Sequence, residues 1–358
     1  MHIFLIILGI LLALAAALCI AVGVVTRPRR EGKDPFVPIG AMLVSDAHDY
    51  AAQRDRRLMR DPVVRLLQLL WIRTAKSDDA NHATQTPPEG ITERCDLPYL
   101  PDGSRYHLLD VYYPAASSGK NPVIIDVHGG GWMYGDKELN KLYCLALASR
   151  GYTVFNISYP LVPDVTAEMQ LRDLMCALQW IDAHLAEFPA DRGDILLTGD
   201  SAGGMLAGYL GVLTGSEKLR SVFGAVSHSL RFKGLLLTSP VAYMEIKGLM
   251  GLYTPKMWGA NYKTKPTYPY MNFDAILPFA QLPKTCLITS AGDVLAHTQT
   301  CRAAEDLRKR GVECKLMDFG GEAGKKLPHV FTVLNPYNDI GRATIDEALA
   351  WFRETDSL

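Results

Sequence analysis

Gly199-Asp200-Ser201-Ala202-Gly203-Gly204 carries the residue types most suited to chemistry. It contains Gly-x-Ser-x-Gly, with the serine between an apolar run, Ile195–Thr198, and a small-residue helical pattern from Met205 to Leu213. A serine on so abrupt a strand-to-helix turn is held at strained backbone angles, its hydroxyl pushed clear of the sheet. Gly199 and Gly203 read as small because neighbouring elements would otherwise collide with the turn. The chemistry this suits is nucleophilic attack by Ser201, which requires a base, an acid and donors for an oxyanion. Asp126-Val127-His128-Gly129-Gly130-Gly131-Trp132 follows a second buried-strand pattern. Its glycines let the backbone bend so that N–H groups point into a cleft, as the tetrahedral intermediate of acyl transfer requires.

These turns need a sheet to hold them. Ile91–Tyr99 and Arg105–Tyr113 flank Pro101-Asp102-Gly103-Ser104 and read as a hairpin. Strands are expected at Val123–Val127, Thr153–Ile157, 195–198, Lys233–Thr238, Thr285–Ser290 and Glu313–Asp318. Helices are expected at Leu139–Arg150, Thr166–Phe188, 299–310 and Thr344–Arg353. Such alternation predicts an α/β fold, a mostly parallel central sheet with helices on both faces. The segment 240–282 is longer than a crossover needs and reads as a cap insertion over the ligand-binding edge. Met244, Met250, Tyr253, Met257, Trp258 and Tyr262 would line a pocket there or fill a satellite core.

The 358 residues carry a net charge of −1, so no basic field argues for nucleic acid. The clusters Arg54-Asp55-Arg56-Arg57 and Arg308-Lys309-Arg310 read as solvated helix faces. Seven cysteines without a CxxC pair argue against a disulfide framework. Nine dispersed histidines without His-Glu-x-x-His argue against a metal enzyme.

Ile3–Val25 is an uncharged apolar run, long enough on paper for the ~30 Å hydrocarbon core. It is expected to be a transmembrane anchor within residues 1–26. The competing reading is a cleaved signal, with Ala15-x-Ala17 as cleavage site. Cys19 hints at a lipoprotein box, but Leu18 precedes it. Arg27, Arg29, Arg30 and Lys33 follow the run, which favours a single-pass protein with its domain on the cytoplasmic side. Residues 27–90 read as a linker (26–40), helices (41–76) and a polar loop (77–90). Asp61-Pro62 starts a helix whose Val63, Leu66, Leu67, Leu70 and Trp71 form a stripe for packing, as a cap or beside the anchor. The catalytic domain is assigned to 91–358.

His-Gly-Gly-Gly-Trp at 128–132, followed by Gly-Asp-Ser-Ala-Gly-Gly at 199–204, resembles the α/β-hydrolases of the hormone-sensitive-lipase-like carboxylesterase group and related bacterial esterases. Tyr159-Pro160-Leu161-Val162-Pro163 resembles that group's Tyr-Arg-Leu-Ala-Pro segment. The resemblance covers roughly residues 91–355. It implies an α/β-hydrolase fold in which Gly130, Gly131 and Ala202 supply the oxyanion N–H groups. His128 is then a loop-shaping residue. The order Ser, acid, His points to Asp293, after the strand ending at Ser290, and to His329 in Leu327-Pro328-His329-Val330-Phe331, which resembles the group's His-x-Phe. The group's Asp-Pro-Leu is Asp293-Val294-Leu295 here, so its Pro and a second acid are missing. Asp318 and Glu322 are rival acids, and His297 is expected at the pocket or the surface.

The implied activity is hydrolysis of short- to medium-chain carboxylic esters through a Ser201-Asp293-His329 triad. No cofactor or metal is implied. The partners expected are a small-molecule ester and the membrane. A carbohydrate esterase of the acetyl or feruloyl type, an amidase or peptidase, and a non-catalytic ligand-binding member of the fold are the other readings.

Overall fold

The computed structural model describes residues 2–25, 61–244 and 249–354. The expected linker at 26–40, the helical stretch 41–60 with its basic cluster, and the Met250 side chain lie outside the described parts.

Helix α1 (His2–Val25) is followed by α2 (Pro62–His82). Asp61 caps α2 by accepting from the Val63 and Val64 N–H groups, and Pro62 fits the first turn, where no N–H is needed. The helix runs through part of the segment expected to be loop. Asp78 accepts the Tyr134 hydroxyl at 2.6 Å, and Asn81 Nδ2 donates to Leu334 O at 2.8 Å. These long-range bonds extend a polar last turn that periodicity alone would end earlier.

Eight strands then form one sheet: β1 (Ile91–Pro98), β2 (Leu108–Pro114), β3 (Asn121–Val127), β4 (Thr153–Ile157), β5 (Ala190–Asp200), β6 (Gly234–Thr238), β7 (Lys284–Ser290) and β8 (Cys314–Phe319). The spatial order is β1-β2-β4-β3-β5-β6-β7-β8. β1 and β2 form the expected hairpin, β2 also pairs antiparallel with β4, and all later pairings are parallel. Successive residues of the central strands serve opposite faces, the signature of a doubly covered sheet. Ile195, Leu197, Leu235 and Leu237 join the core on one side, and Leu196 and Leu236 join the core on the other. The connecting helices are α3 (Lys141–Ala148), α4 (Ala167–His184), α5 (Ser201–Gly215), α6 (Glu217–Phe223), α7 (Leu249–Tyr253), α8 (Phe273–Ile276), α9 (His297–Lys309), the short α10 (Gly321–Gly324) and α11 (Phe331–Leu334), and α12 (Asp339–Glu354). α4, α5 and α9 cover the first face; α3 and α12 cover the second.

Between β6 and β7 the chain makes only short helices and turns. Met244, Tyr253, Met257 and Trp258 are buried there in the main core, with Tyr262 partly buried against it. Trp258 Nε1 donates to the Met244 sulfur at 3.2 Å, and the Trp258 ring lies 5.9 Å from Tyr209 on α5. These side chains fill the main core, with Trp258 packed against α5.

The expectation of a transmembrane anchor is corrected. Among the described residues, no helix is long and apolar enough to cross a membrane. The membrane partner, the single-pass topology and the cytoplasmic placement all rested on that span and fall with it.

Candidate active site

Ser201 sits between the last residue of β5 and the first turn of α5 with φ +51°, the left-handed region that a non-glycine residue adopts only when its surroundings impose it. The turn is tight because two glycines allow it. A methyl on Gly199 would stand 2.5 Å from Gly203 O, and one on Gly203 would meet the Val127 and His128 carbonyls. The elbow is thus pressed directly against the end of β3, and the His128–Gly131 loop leaves from that same end.

β7 carries Asp293 three residues past its end, and the chain after β8 carries His329. His329 Nε2 lies 2.8 Å from Ser201 Oγ, and its Nδ1 lies 2.9 Å from Asp293 Oδ1. The Nδ1 proton is not aimed along that second line; such bonds commonly tighten only when substrate is bound. The Leu295 and Ala296 N–H groups donate to Asp293 Oδ1 at 3.1 and 2.8 Å. Burial works to raise the Asp293 carboxyl, but His329 and the Ala296 N–H together hold it below the ordinary value. The structure brings Ser201, His329 and Asp293 together. It does not bring in the rival acids. Asp318 pairs with His297 at 3.0 Å, and Glu322 pairs with Lys325 at 2.6 Å. His297 is a partly exposed residue at the start of α9.

Gly130 (φ +93°) and Gly131 (φ +56°) shape the loop after β3. Among the described residues, no acceptor is seen for the N–H groups of Gly130 and Gly131, whereas the Gly129 N–H is already taken by Asp200 Oδ1 at 2.9 Å. Ala202 N–H is in the first turn of α5, where a helix has no internal acceptor to offer. His128 is buried and stacked on Tyr159, centroids 4.2 Å apart, with its Nδ1 3.0 Å from Gly129 O. Burial lowers its pKa to about 3, which suits a neutral shaping residue and not a base working at neutral pH.

Several supporting residues escaped sequence reasoning. The Tyr159 hydroxyl donates to His128 O at 2.7 Å and Gly129 O at 3.1 Å. The Tyr253 hydroxyl donates to Gly131 O at 2.7 Å. Trp71 of α2 lies over Gly131 and stacks on Tyr134 with centroids 5.0 Å apart. Asn140 Nδ2 bridges Asp200 Oδ1 at 2.8 Å and Asp126 Oδ2 at 2.9 Å. Burial pushes Asp200 up to about 6, opposed by Asn140, the His329 charge and the Gly129 N–H. Burial, and after it the nearby Asp200, raise Asp126 as well. The Tyr-Pro-Leu-Val-Pro resemblance was the one signal pointing at Tyr159; Trp71 was expected in a packing or cap stripe and Tyr253 in a pocket lining or satellite core, neither against Gly131, and nothing linear pointed at Asn140.

The geometry is that of a serine hydrolase. The BD-FAE family model matches residues 109–246, which include the Gly-rich loop and Ser201. Esterase B from Lactobacillus rhamnosis has a solved structure similar to this chain with a TM-score of 0.77 at 30% identity, covering 82% of this chain and 94% of that one. Versiconal hemiacetal acetate esterase from Dothistroma septosporum is 35% identical over 107 residues, 30% of this chain and 32% of that protein. Carboxylic ester hydrolase LipN from Mycobacterium tuberculosis is 34% identical over 98 residues, 27% of this chain and 26% of that protein. The chain spans less than a third of the length of either curated relative. The chain belongs to the hormone-sensitive-lipase-like carboxylesterases of the α/β-hydrolase fold.

Proposed function

We propose that the chain is a serine carboxylesterase that hydrolyses short- to medium-chain carboxylic esters, with Ser201 as nucleophile, His329 as general base and acid, Asp293 as the residue that orients it, and Gly130, Gly131 and Ala202 as oxyanion donors. The observation that carries this reading is His329, whose two ring nitrogens lie 2.8 Å from Ser201 Oγ and 2.9 Å from Asp293 Oδ1. Serine is a weak nucleophile until a base takes its proton. His329 Nε2 accepts the Ser201 proton as Oγ bonds to the acyl carbon, and the carbonyl oxygen becomes an oxyanion. The open N–H groups of the Gly-rich loop and of the α5 first turn receive that charge. The intermediate collapses, the alkoxide departs with the proton from Nε2, and an acyl-Ser201 ester remains. Water then repeats the sequence and restores Ser201. Asp293 stays ionised and stabilises the imidazolium at both stages.

Two relatives support a short acyl group. One is named for an acetate, and Esterase B has been solved inhibited by a tributyrin phosphonate. The experiment is a series of p-nitrophenyl esters from acetate to decanoate, with a fluorophosphonate probe to label the nucleophile. The expected outcome is fastest turnover on the shorter members, probe attached to Ser201, and loss of about 10⁴-fold or more in kcat for Ser201→Ala. Undiminished turnover by Ser201→Ala refutes the mechanism, and a preference for the longest chains refutes the substrate range.

A further inference from the structure

Away from the triad, three side chains of different chemistry converge near one point: His297 opening α9, Cys301 one turn along it, and Asp318 near the end of β8. His297 Nε2 is 3.0 Å from Asp318 Oδ1 and 3.8 Å from Cys301 Sγ, and Cys301 Sγ is 3.9 Å from Asp318 Oδ2. Tetrahedral zinc with Zn–S of about 2.3 Å and Zn–N and Zn–O of about 2.0 Å sets its N and O ligands about 3.3 Å apart and S about 3.5 Å from either. The His297–Asp318 and His297–Cys301 distances each lie within about 0.3 Å of those figures. Asp318 faces His297 with Oδ1 and Cys301 with Oδ2, and with one ligand atom taken from each residue all three lie within 4.8 Å of one another.

A proton relay is a poor account of the same residues. A relay uses both ring nitrogens, one toward the thiol and one toward the carboxylate. Here a single nitrogen, Nε2, faces both Cys301 and Asp318. Convergence of three ligand atoms on one point is what a cation requires. One thiolate, one imidazole and one carboxylate form the mixed set that zinc takes, whereas calcium and magnesium select oxygen. Cys301 and His297 are partly buried and Asp318 is exposed, so the point is open to solvent. The residues are 17 and 21 positions apart across the helix–strand pair, so no linear spacing reveals the site.

We propose that His297, Cys301 and Asp318 form a zinc-binding site, with water in the fourth position, that fastens the start of α9 to the end of β8. Binding replaces the Cys301 thiol proton with the metal and releases that proton to solvent. The site adjoins the turn that holds Asp293, because the His297 N–H donates to Asp293 O at 3.1 Å. It stands independently of the esterase reading.

The test uses the full chain, stripped with a chelator and titrated with zinc sulfate against a chromophoric zinc indicator. Cobalt(II) loading is read separately by its thiolate charge-transfer absorption. One zinc per chain is expected, with affinity at least about tenfold weaker in Cys301→Ser and in His297→Ala, and no charge-transfer band in Cys301→Ser. Substoichiometric uptake by the wild type, or uptake indifferent to both substitutions, overturns the proposal. Should either variant fail to fold, iodoacetamide labelling of the wild type, mapped by peptide mass, decides. Zinc must slow alkylation of Cys301 at least about tenfold and leave the exposed Cys95 unchanged; equal protection, or none, overturns the proposal.

Discussion

Replacing Gly131 by alanine tests whether α2 holds the Gly-rich loop. Gly131 has φ +56°, so an alanine there costs about 1–2 kcal/mol in backbone strain. Its methyl would stand 2.7 Å from Trp71 Cε2 and closer still to Cζ2. Carbon atoms rest at about 3.5–4.0 Å and Cζ2 is the nearest indole carbon, so the indole must retreat by about 1.3 Å or more, at a cost of about 1–3 kcal/mol. The expected total for Gly131→Ala is about 2–5 kcal/mol, divided between stability and a displaced loop. A donor misplaced by that distance lowers kcat/KM by about 10²-fold. Trp71→Ala alone loses the stack on Tyr134, about 0.5–1.5 kcal/mol. The double variant keeps the strain and loses the clash. It should therefore recover about 1–3 kcal/mol relative to additivity, shared between urea stability and a rise in kcat/KM over Gly131→Ala that reaches about fivefold for each 1 kcal/mol. The assay is urea unfolding of all four proteins together with p-nitrophenyl butyrate kinetics. Strict additivity in both readouts, or a wild-type-like Gly131→Ala, would refute the reasoning.

Asp293→Asn should lower kcat by about 10²–10⁴-fold with little change in KM, while Glu322→Gln leaves both unchanged; the reverse pattern would move the acid to Glu322. Tyr159→Phe strips a donor from the buried carbonyls of His128 and Gly129, so it should cost about 1–3 kcal/mol in urea unfolding and lower kcat more than it raises KM. Asp200 has its folded pKa raised from 3.8 to about 6. Its stabilising contribution is therefore complete below about pH 4 and lost as pH rises through about 6, at most about 3 kcal/mol. Thermal melts should show the wild type losing more stability than Asp200→Asn between about pH 4 and about pH 8; parallel profiles would contradict the raised value.

The sheet was legible because its strands are short, apolar and separated by amphipathic helices. Val123–Val127 and Lys233–Thr238 were placed within two residues of β3 and within one of β6. The elbow was legible because a tight strand-to-helix turn restricts residue types locally. What the sequence concealed is carried by contacts between distant segments. Asn140 joins Asp200 to Asp126 across 60 and 14 positions. Trp71 meets Gly131 from another element. The last turn of α2 persists because Asn81 reaches Leu334. Asp293 was chosen over Asp318 and Glu322 on the family resemblance and the order Ser, acid, His; periodicity and composition alone do not say which acid the sheet carries to His329. The N-terminal reading failed differently: apolar composition was taken as a span, but among the described residues no helix is long and apolar enough to cross a membrane.

The loop after β3 and the elbow after β5 are tied together by their contacts. The strands are adjacent and parallel, so their ends emerge side by side. Gly203 rests against the Val127 and His128 carbonyls, which fixes the distance between the two turns. Asp200, next to the proposed nucleophile, accepts the Gly129 N–H, which fixes their relative rotation. Taking that N–H out of play leaves Gly130 and Gly131 as the loop's free donors. Asn140 Nδ2 donates to the same Asp200 oxygen and ties it to Asp126. A buried carboxylate whose pKa is pushed up to about 6 is costly at neutral pH. An asparagine or a leucine would avoid that cost, but leucine would release the Gly129 N–H and asparagine would put a donor beside the His329 ring. The anion near His329 also favours the imidazolium that forms during acyl transfer, since its charge couples to that ring. The same carboxylate thus sets the loop geometry and supports the charge that the proposed chemistry develops, which explains why stability is given up at this position.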